Sequence, residues 1–145
     1  MTEKIIIAGS GGQGVLTLGV FLAQTGVYEG KNVTWHPSYG AEKRGGFSFC
    51  EVIISDEEIF SPVVQNPDTL FLFDARAVSI MGGRASDKTT VITNRTLAGP
   101  VEIKGKIVPV DALEIARAMK MLRVMNIVMA VSYTHLRAHE TVLDL

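Results

Sequence analysis

Thiols are nearly missing from this 145-residue chain, which has a single cysteine, Cys50. No disulfide can form within it, and an iron–sulfur cluster, which takes several thiolates, cannot be held by these residues alone. A surplus of charge is missing too. The 14 Lys and Arg stand against 15 Asp and Glu, a balance that points to neither nucleic acid nor an anionic membrane. No apolar run approaches the roughly 18 residues of a membrane-spanning helix and no secretory leader is visible, so the expected location is the cytoplasm. What is abundant is apolar residues, 47% of the chain, together with 14 glycines. That composition fits one compact α/β core with many tight turns, and disorder is not expected.

One more absence is local. Lys4-Ile5-Ile6-Ile7-Ala8 reads as a strand, Gly9-Ser10-Gly11-Gly12-Gln13-Gly14 as a turn, and Val15-Leu16 as the start of an apolar helix. Gly9, Gly11 and Gly14 have the dinucleotide spacing G-x-G-x-x-G. Glycines there allow a sharp turn and close approach to a ligand, and the unpaired amides of the helix start favour a phosphate or carboxylate. A nicotinamide enzyme of this kind places an acid about 20 residues on, at the end of the second strand. Here that strand, Asn32 to His36, runs into Pro37-Ser38 with no carboxylate. Ordinary NAD binding is therefore not expected.

Further along, Pro37 to Gly46 forms a long connection, and Phe47 to Ile54 reads as a strand with Cys50 as a buried thiol inside it. The acidic turn Ser55 to Glu58 and an irregular stretch through Pro62 follow. Leu70-Phe71-Leu72-Phe73 is a short continuous apolar run, as in a parallel strand buried on both faces. Asp74 ends it at the binding rim, as a weak site candidate or a cap for a short helix over 75–81. Thr90 to Thr93 and Lys106 to Val110 are further strands. Asp111 with Glu114 spells a capping box, and Val110 with Ile115 a hydrophobic staple, before a helix from Ala112 to Met121. The helix from Val15 to Gly30 is apolar almost all round, so it is covered either by another subunit or by elements of the same domain. Trp35 reads as core. Lys88, Lys104 and Lys106 read as solvated. His36 reads as a loop hydrogen-bonder, the rival role being a proton donor near a site. The fold class expected is α/β: an open, mainly parallel, doubly wound (Rossmann-like) sheet in a single domain truncated at its C-terminus. Its ligand rim is shared by the Gly9–Gly14 and Pro37–Gly46 loops.

The last residues need separate treatment. Val131-Ser132-Tyr133-Thr134-His135-Leu136-Arg137-Ala138-His139-Glu140-Thr141 resembles one reading frame of a transposase-type sequencing adapter. Residues 131–145 are accordingly expected to be a non-native tail, and residues 1–130 an incomplete domain. His135, His139 and Glu140 are for that reason not taken as a metal site.

The two rim segments, Gly9-Ser10-Gly11-Gly12-Gln13-Gly14-Val15 and Ser38-Tyr39-Gly40-Ala41-Glu42-Lys43-Arg44-Gly45-Gly46, resemble the signature of the gamma subunit of 2-oxoacid:ferredoxin oxidoreductases, the 2-oxoglutarate type in particular. The resemblance extends over Ile53 to Asp56, Ser61-Pro62 and Asn126 to Ala130. Phe47 and Phe49 depart from it in being bulky after the double glycine. It implies an enzyme that converts a 2-oxoacid and coenzyme A to an acyl-CoA and carbon dioxide, with electrons passing to ferredoxin. It also implies partners: alpha and beta subunits that bind thiamine diphosphate and Mg2+, and a ferredoxin-like delta subunit with [4Fe–4S] clusters. This chain has neither cluster cysteines nor a Gly-Asp-Gly thiamine signature, which agrees with a subunit inactive alone, and no catalytic residue or metal ligand is assigned to it.

Within that frame Gly9, Gly11, Gly12, Gln13 and Gly14 are candidate contacts to coenzyme A or a phosphate, through backbone amides and the Gln13 amide. Arg44 is a candidate for a phosphate or carboxylate. Ser38, Tyr39, Glu42, Arg44, Gly45 and Gly46 are candidate interface residues, Tyr and Arg being enriched at such contacts. Two rivals stay open, an NAD- or FAD-dependent oxidoreductase and a nucleotide-binding regulatory module. The 145-residue product is expected to aggregate when isolated.

Overall fold

A computed structural model describes residues 1–39 and 46–143. Six strands form one sheet: β1 (Thr2–Ser10), β2 (Asn32–Tyr39), β3 (Phe47–Ser55), β4 (Thr69–Leu72), β5 (Thr90–Asn94) and β6 (Lys106–Val110). Their order across the sheet is β2-β3-β1-β4-β5-β6. The neighbours β1, β4, β5 and β6 run parallel, while β3 is antiparallel to both β1 and β2. The mainly parallel, open α/β sheet expected from the apolar runs is thus the one found, with β2 and β3 added as a hairpin on one side.

Helices cover both faces, as the alternation along β1 requires. Ile5 and Ile7 point to the face packed by α1 (Val15–Tyr28), α4 (Ala112–Ala118) and α5 (Met125–Leu143); Ile6 and Ala8 point to the face packed by α2 (Ala75–Met81) and Val64. Each of these four side chains is fully buried. A short α3 (Arg95–Ala98) follows β5. Among the described residues no helix is long and apolar enough to cross a membrane.

Several local expectations are corrected. The second strand does not stop at His36 but continues through Pro37 to Tyr39, with Pro37 opposite Cys50. Proline lacks an amide donor, and an edge strand such as β2 tolerates it. On the opposite edge Lys106 N donates inward to Thr89 O, which turns Pro109 outward where it blocks further pairing. The capping box at Asp111 is not made. The helix begins at Ala112 as expected, but Asp111 makes no side-chain cap, pairing instead with Arg95 at 3.3 Å, while Glu114 pairs with Arg117. Ile115 is exposed, so the staple fails too. Trp35 is 37% exposed rather than core.

Helix α1 buries Val15, Leu18, Gly19 and Gly26. A Cβ on Gly19 would stand 2.5 Å from Cys50 Sγ, and one on Gly26 2.8 Å from Val33 Cγ2, so the two glycines let the helix lie directly on β2 and β3. Its other side is bare: Phe21, Val27 and Tyr28 are 45%, 63% and 91% exposed. Of the two coverings considered for this helix, elements of the same domain do not supply one for these three side chains among the described residues. At the other end of the chain α5 runs unbroken from Met125 past Ala130. The Tyr133 ring meets Phe71 edge-on at 5.7 Å, and its hydroxyl lies 3.3 Å from Glu3 Oε1.

Candidate functional site

The carboxyl ends of β1, β2, β4 and β5 share one rim, and β1 and β4 are adjacent there although their connections leave in opposite directions. This is the switch point at which open α/β sheets bind ligands. The glycine turn occupies it. Gly11 N donates to Gly46 O at 2.8 Å, which ties the turn to the far end of the second rim segment. The two segments joined by sequence reasoning are therefore in contact.

Within the turn the glycines do different work. A Cβ on Gly9 would stand 2.5 Å from Gln13 Oε1, 2.8 Å from Phe73 Cβ and 2.9 Å from Val15 Cγ2. Gly14, at φ +78°, would bring one to 2.6 Å from Asn126 Nδ2. These two glycines permit packing. Gly12, at φ +85°, has none of the described residues within 4 Å of where its Cβ would be; among them it is the glycine left open to an incoming group. The Gly11 amide is spent on Gly46, so among the backbone amides expected to face a phosphate it is already taken. Gln13 folds back, its Oε1 accepting from Ser10 N at 2.8 Å.

Asp74 caps α2 by accepting from Ala77 N at 2.8 Å and also accepts from the Ser10 hydroxyl at 2.6 Å, so it bridges the turn and the next helix. Asn126, at the start of α5, donates to Gly14 O at 3.2 Å across a separation of 112 residues. Sequence reasoning assigned no role to Ser10 or Asn126. Ser10 sits within a glycine motif that drew attention to its backbone, and nothing local to Asn126 signals its partner. Ser38 faces Phe49 and Tyr39 faces Ser48 in the ladder. Glu42, Arg44 and Gly45, with Gly40, Ala41 and Lys43, lie outside the described residues.

His36 is on β2, not in a loop, and its Nδ1 lies 3.0 Å from Glu51 Oε1. Glu51 is buried, and its other oxygen accepts from the buried Val64 amide. The pair fastens the segment after β3 to the sheet. Among the described residues no three His, Cys, Asp or Glu side chains gather as metal ligands. Burial pushes the Cys50 thiol up to about 12, with the Glu51 carboxylate adding to the rise and a Trp35 hydrogen bond opposing it. Such a thiol is protonated at neutral pH and is not a nucleophile. Alkylation of the native protein at pH 8 is expected to be at least about a thousandfold slower than of the unfolded chain, measured with iodoacetamide by mass spectrometry. Because the folded thiol holds its proton to higher pH than the unfolded one, stability should fall as pH rises from about 9 toward 12. Cys50→Ala should flatten that alkaline limb.

The model of the family "Pyruvate ferredoxin/flavodoxin oxidoreductase" matches residues 4–141. The chain is 40% identical over 130 residues to ketoisovalerate oxidoreductase subunit VorA of Methanothermobacter thermautotrophicus, covering 87% of this chain and 26% of that protein. It is 47% identical over 79 residues to 2-oxoglutarate synthase subunit KorC of Methanothermobacter marburgensis, covering 54% and 42%. Among solved structures, the keto/oxoacid ferredoxin oxidoreductase gamma subunit from Geobacter sulfurreducens superposes with a TM-score of 0.76 at 25% identity, over 88% of this chain and 71% of that one. The chain thus spans about a quarter of the VorA relative and under half of KorC. With a family match across nearly its whole length and a gamma subunit among its structural neighbours, the chain belongs to the pyruvate ferredoxin/flavodoxin oxidoreductase family, as a domain of the gamma type.

Proposed function

We propose that this chain is the gamma-type subunit of a thiamine diphosphate-dependent 2-oxoacid:ferredoxin oxidoreductase, presenting a coenzyme A-facing and subunit-facing rim rather than the reacting groups. The reaction is oxidative decarboxylation of a 2-oxoacid, 2-oxoglutarate first among them, with coenzyme A to acyl-CoA and CO2, electrons passing to ferredoxin in the cytoplasm. Thiamine diphosphate with Mg2+ supplies the carbanion chemistry on alpha and beta subunits, and [4Fe–4S] clusters on a ferredoxin-like delta subunit carry the electrons. This chain's one thiol is buried and protonated, which does not suit a cluster, so no step is assigned to its own side chains.

The observation that supports the reading is the hydrogen bond from Gly11 to Gly46, which ties the turn to the end of the second rim segment while Gly12 stays open among the described residues. A ligand reaching that opening meets backbone amides at the start of α1, and Arg44 in the neighbouring segment completes the anion-binding candidates. Ser38, Tyr39, Glu42, Gly45 and Gly46 are proposed to meet a sister subunit, and the bare Phe21, Val27 and Tyr28 of α1 give it an apolar anchor. Co-expression with the proposed thiamine-binding alpha and beta subunits and the ferredoxin-like delta subunit tests this. A stable complex that includes the chain is the expected result, and recovery of the chain alone contradicts it. Residues 131–145 are proposed to be adapter-encoded; a source gene that diverges from Val131 onward supports this, and one that continues identically refutes it.

A further inference from the structure

At the switch point the Ser10 hydroxyl donates to Asp74 Oδ2 at 2.6 Å, while Asp74 Oδ1 is held by the Ala77 amide. A carboxylate oxygen only accepts, so the Ser10 proton is committed and what the half-buried Oγ has left to offer is lone pairs. The Ser10 amide is committed as well, to Gln13 Oε1, which leaves Nε2 as the donor end of that side chain. The turn therefore has a defined polarity: an acceptor at Ser10, and donors at Gln13 Nε2 and the Gly12 amide.

We infer that Asp74 is a positioning residue that fixes the Ser10 hydroxyl as an acceptor, so that the ligand group met at the turn is an amide, with its N–H to Ser10 and its carbonyl to the turn's donors. A phosphate oxygen brings no proton to Ser10 and meets the Asp74 charge behind it. This rests on the reading of the turn as a coenzyme A surface and deepens it: the turn holds the amide-bearing pantetheine arm, and the phosphates lie elsewhere on the rim.

Asp74→Asn isolates the effect. Asparagine caps a helix about as well as aspartate, but it can present an N–H where Oδ2 accepted, so Ser10 accepts from residue 74 and turns its own proton outward. In the assembled enzyme, with acyl-CoA formation as readout, pantetheine should inhibit Asp74→Asn about tenfold more weakly than the parent and inorganic pyrophosphate several-fold more strongly, by roughly one hydrogen bond each. The Asp74→Asn/Ser10→Ala double variant should match Ser10→Ala alone for pantetheine, which Asp74 reaches only through Ser10. Both inhibitors shifting in one direction, or a double variant that differs from Ser10→Ala toward pantetheine, overturns the role of Asp74. Should Ser10→Ala and Gly12→Asn both leave the KM for coenzyme A and both inhibition constants unmoved, the turn does not face coenzyme A, and it is the underlying reading that fails.

Discussion

Gly9→Val is expected to cost about 3 kcal/mol or more and to lower the melting temperature by roughly 10 °C. Its first added carbon alone meets three atoms closer than 3.0 Å. One of them, Phe73 Cβ, belongs to a fully buried side chain fixed to the backbone at that atom, and another to Val15 in the first turn of α1, so neither neighbour can give way without moving a helix or a strand end. Gly12→Ala is the control. Among the described residues nothing lies within 4 Å of its added carbon, so the loss is that of its left-handed backbone, about 1–2 kcal/mol. Thermal unfolding of the two variants side by side decides the matter, because a motif whose glycines all served a ligand would show equal and small losses.

Removal of the buried carboxylate of strand β3 is expected to be nearly as damaging. Glu51→Leu leaves the Val64 amide without an acceptor in a fully buried place and strips His36 of its partner, for a loss of roughly 2–4 kcal/mol. Glu51→Gln keeps an acceptor for the amide and should lose about half as much or less. Denaturant titration of both separates them. Equal losses would mean that the carboxylate charge, rather than the fastening of the segment carrying Val64, is what matters.

The sheet was legible because each parallel strand announces itself as a short apolar run, Leu70 to Phe73 most plainly, and because the glycine turn marks where the first strand meets its helix. Signals that depend on competition were not legible. Asp111 and Glu114 have the spacing of a capping box, yet Arg95 and Arg117 take their carboxylates, and only the first of those partners is distant in sequence. Pro37 looked like the end of a strand because its tolerance depends on lying at an edge, a property of strand order. Nothing local marks Glu51 as buried; it is the segment carrying Val64, distant from β3's own pattern, that donates its amide to the carboxylate and covers it. In the site, the spacing of Gly9, Gly11 and Gly14 is one signal for what the structure divides into packing at Gly9 and Gly14, a tie to Gly46 at Gly11, and open space at Gly12. The contact of Gly14 with Asn126 joins residues too far apart for any motif to record.

The most direct measurement of the central claim is turnover by the reconstituted complex with and without this chain. Acyl-CoA formation from 2-oxoglutarate, 3-methyl-2-oxobutanoate and pyruvate would be followed against coenzyme A concentration, with ferredoxin as acceptor. Expected are no product from the chain alone, product from the full complex, and a raised KM for coenzyme A when Gly12→Asn replaces the parent sequence. Turnover by the isolated chain, or a full complex indifferent to Gly12→Asn, would contradict that claim.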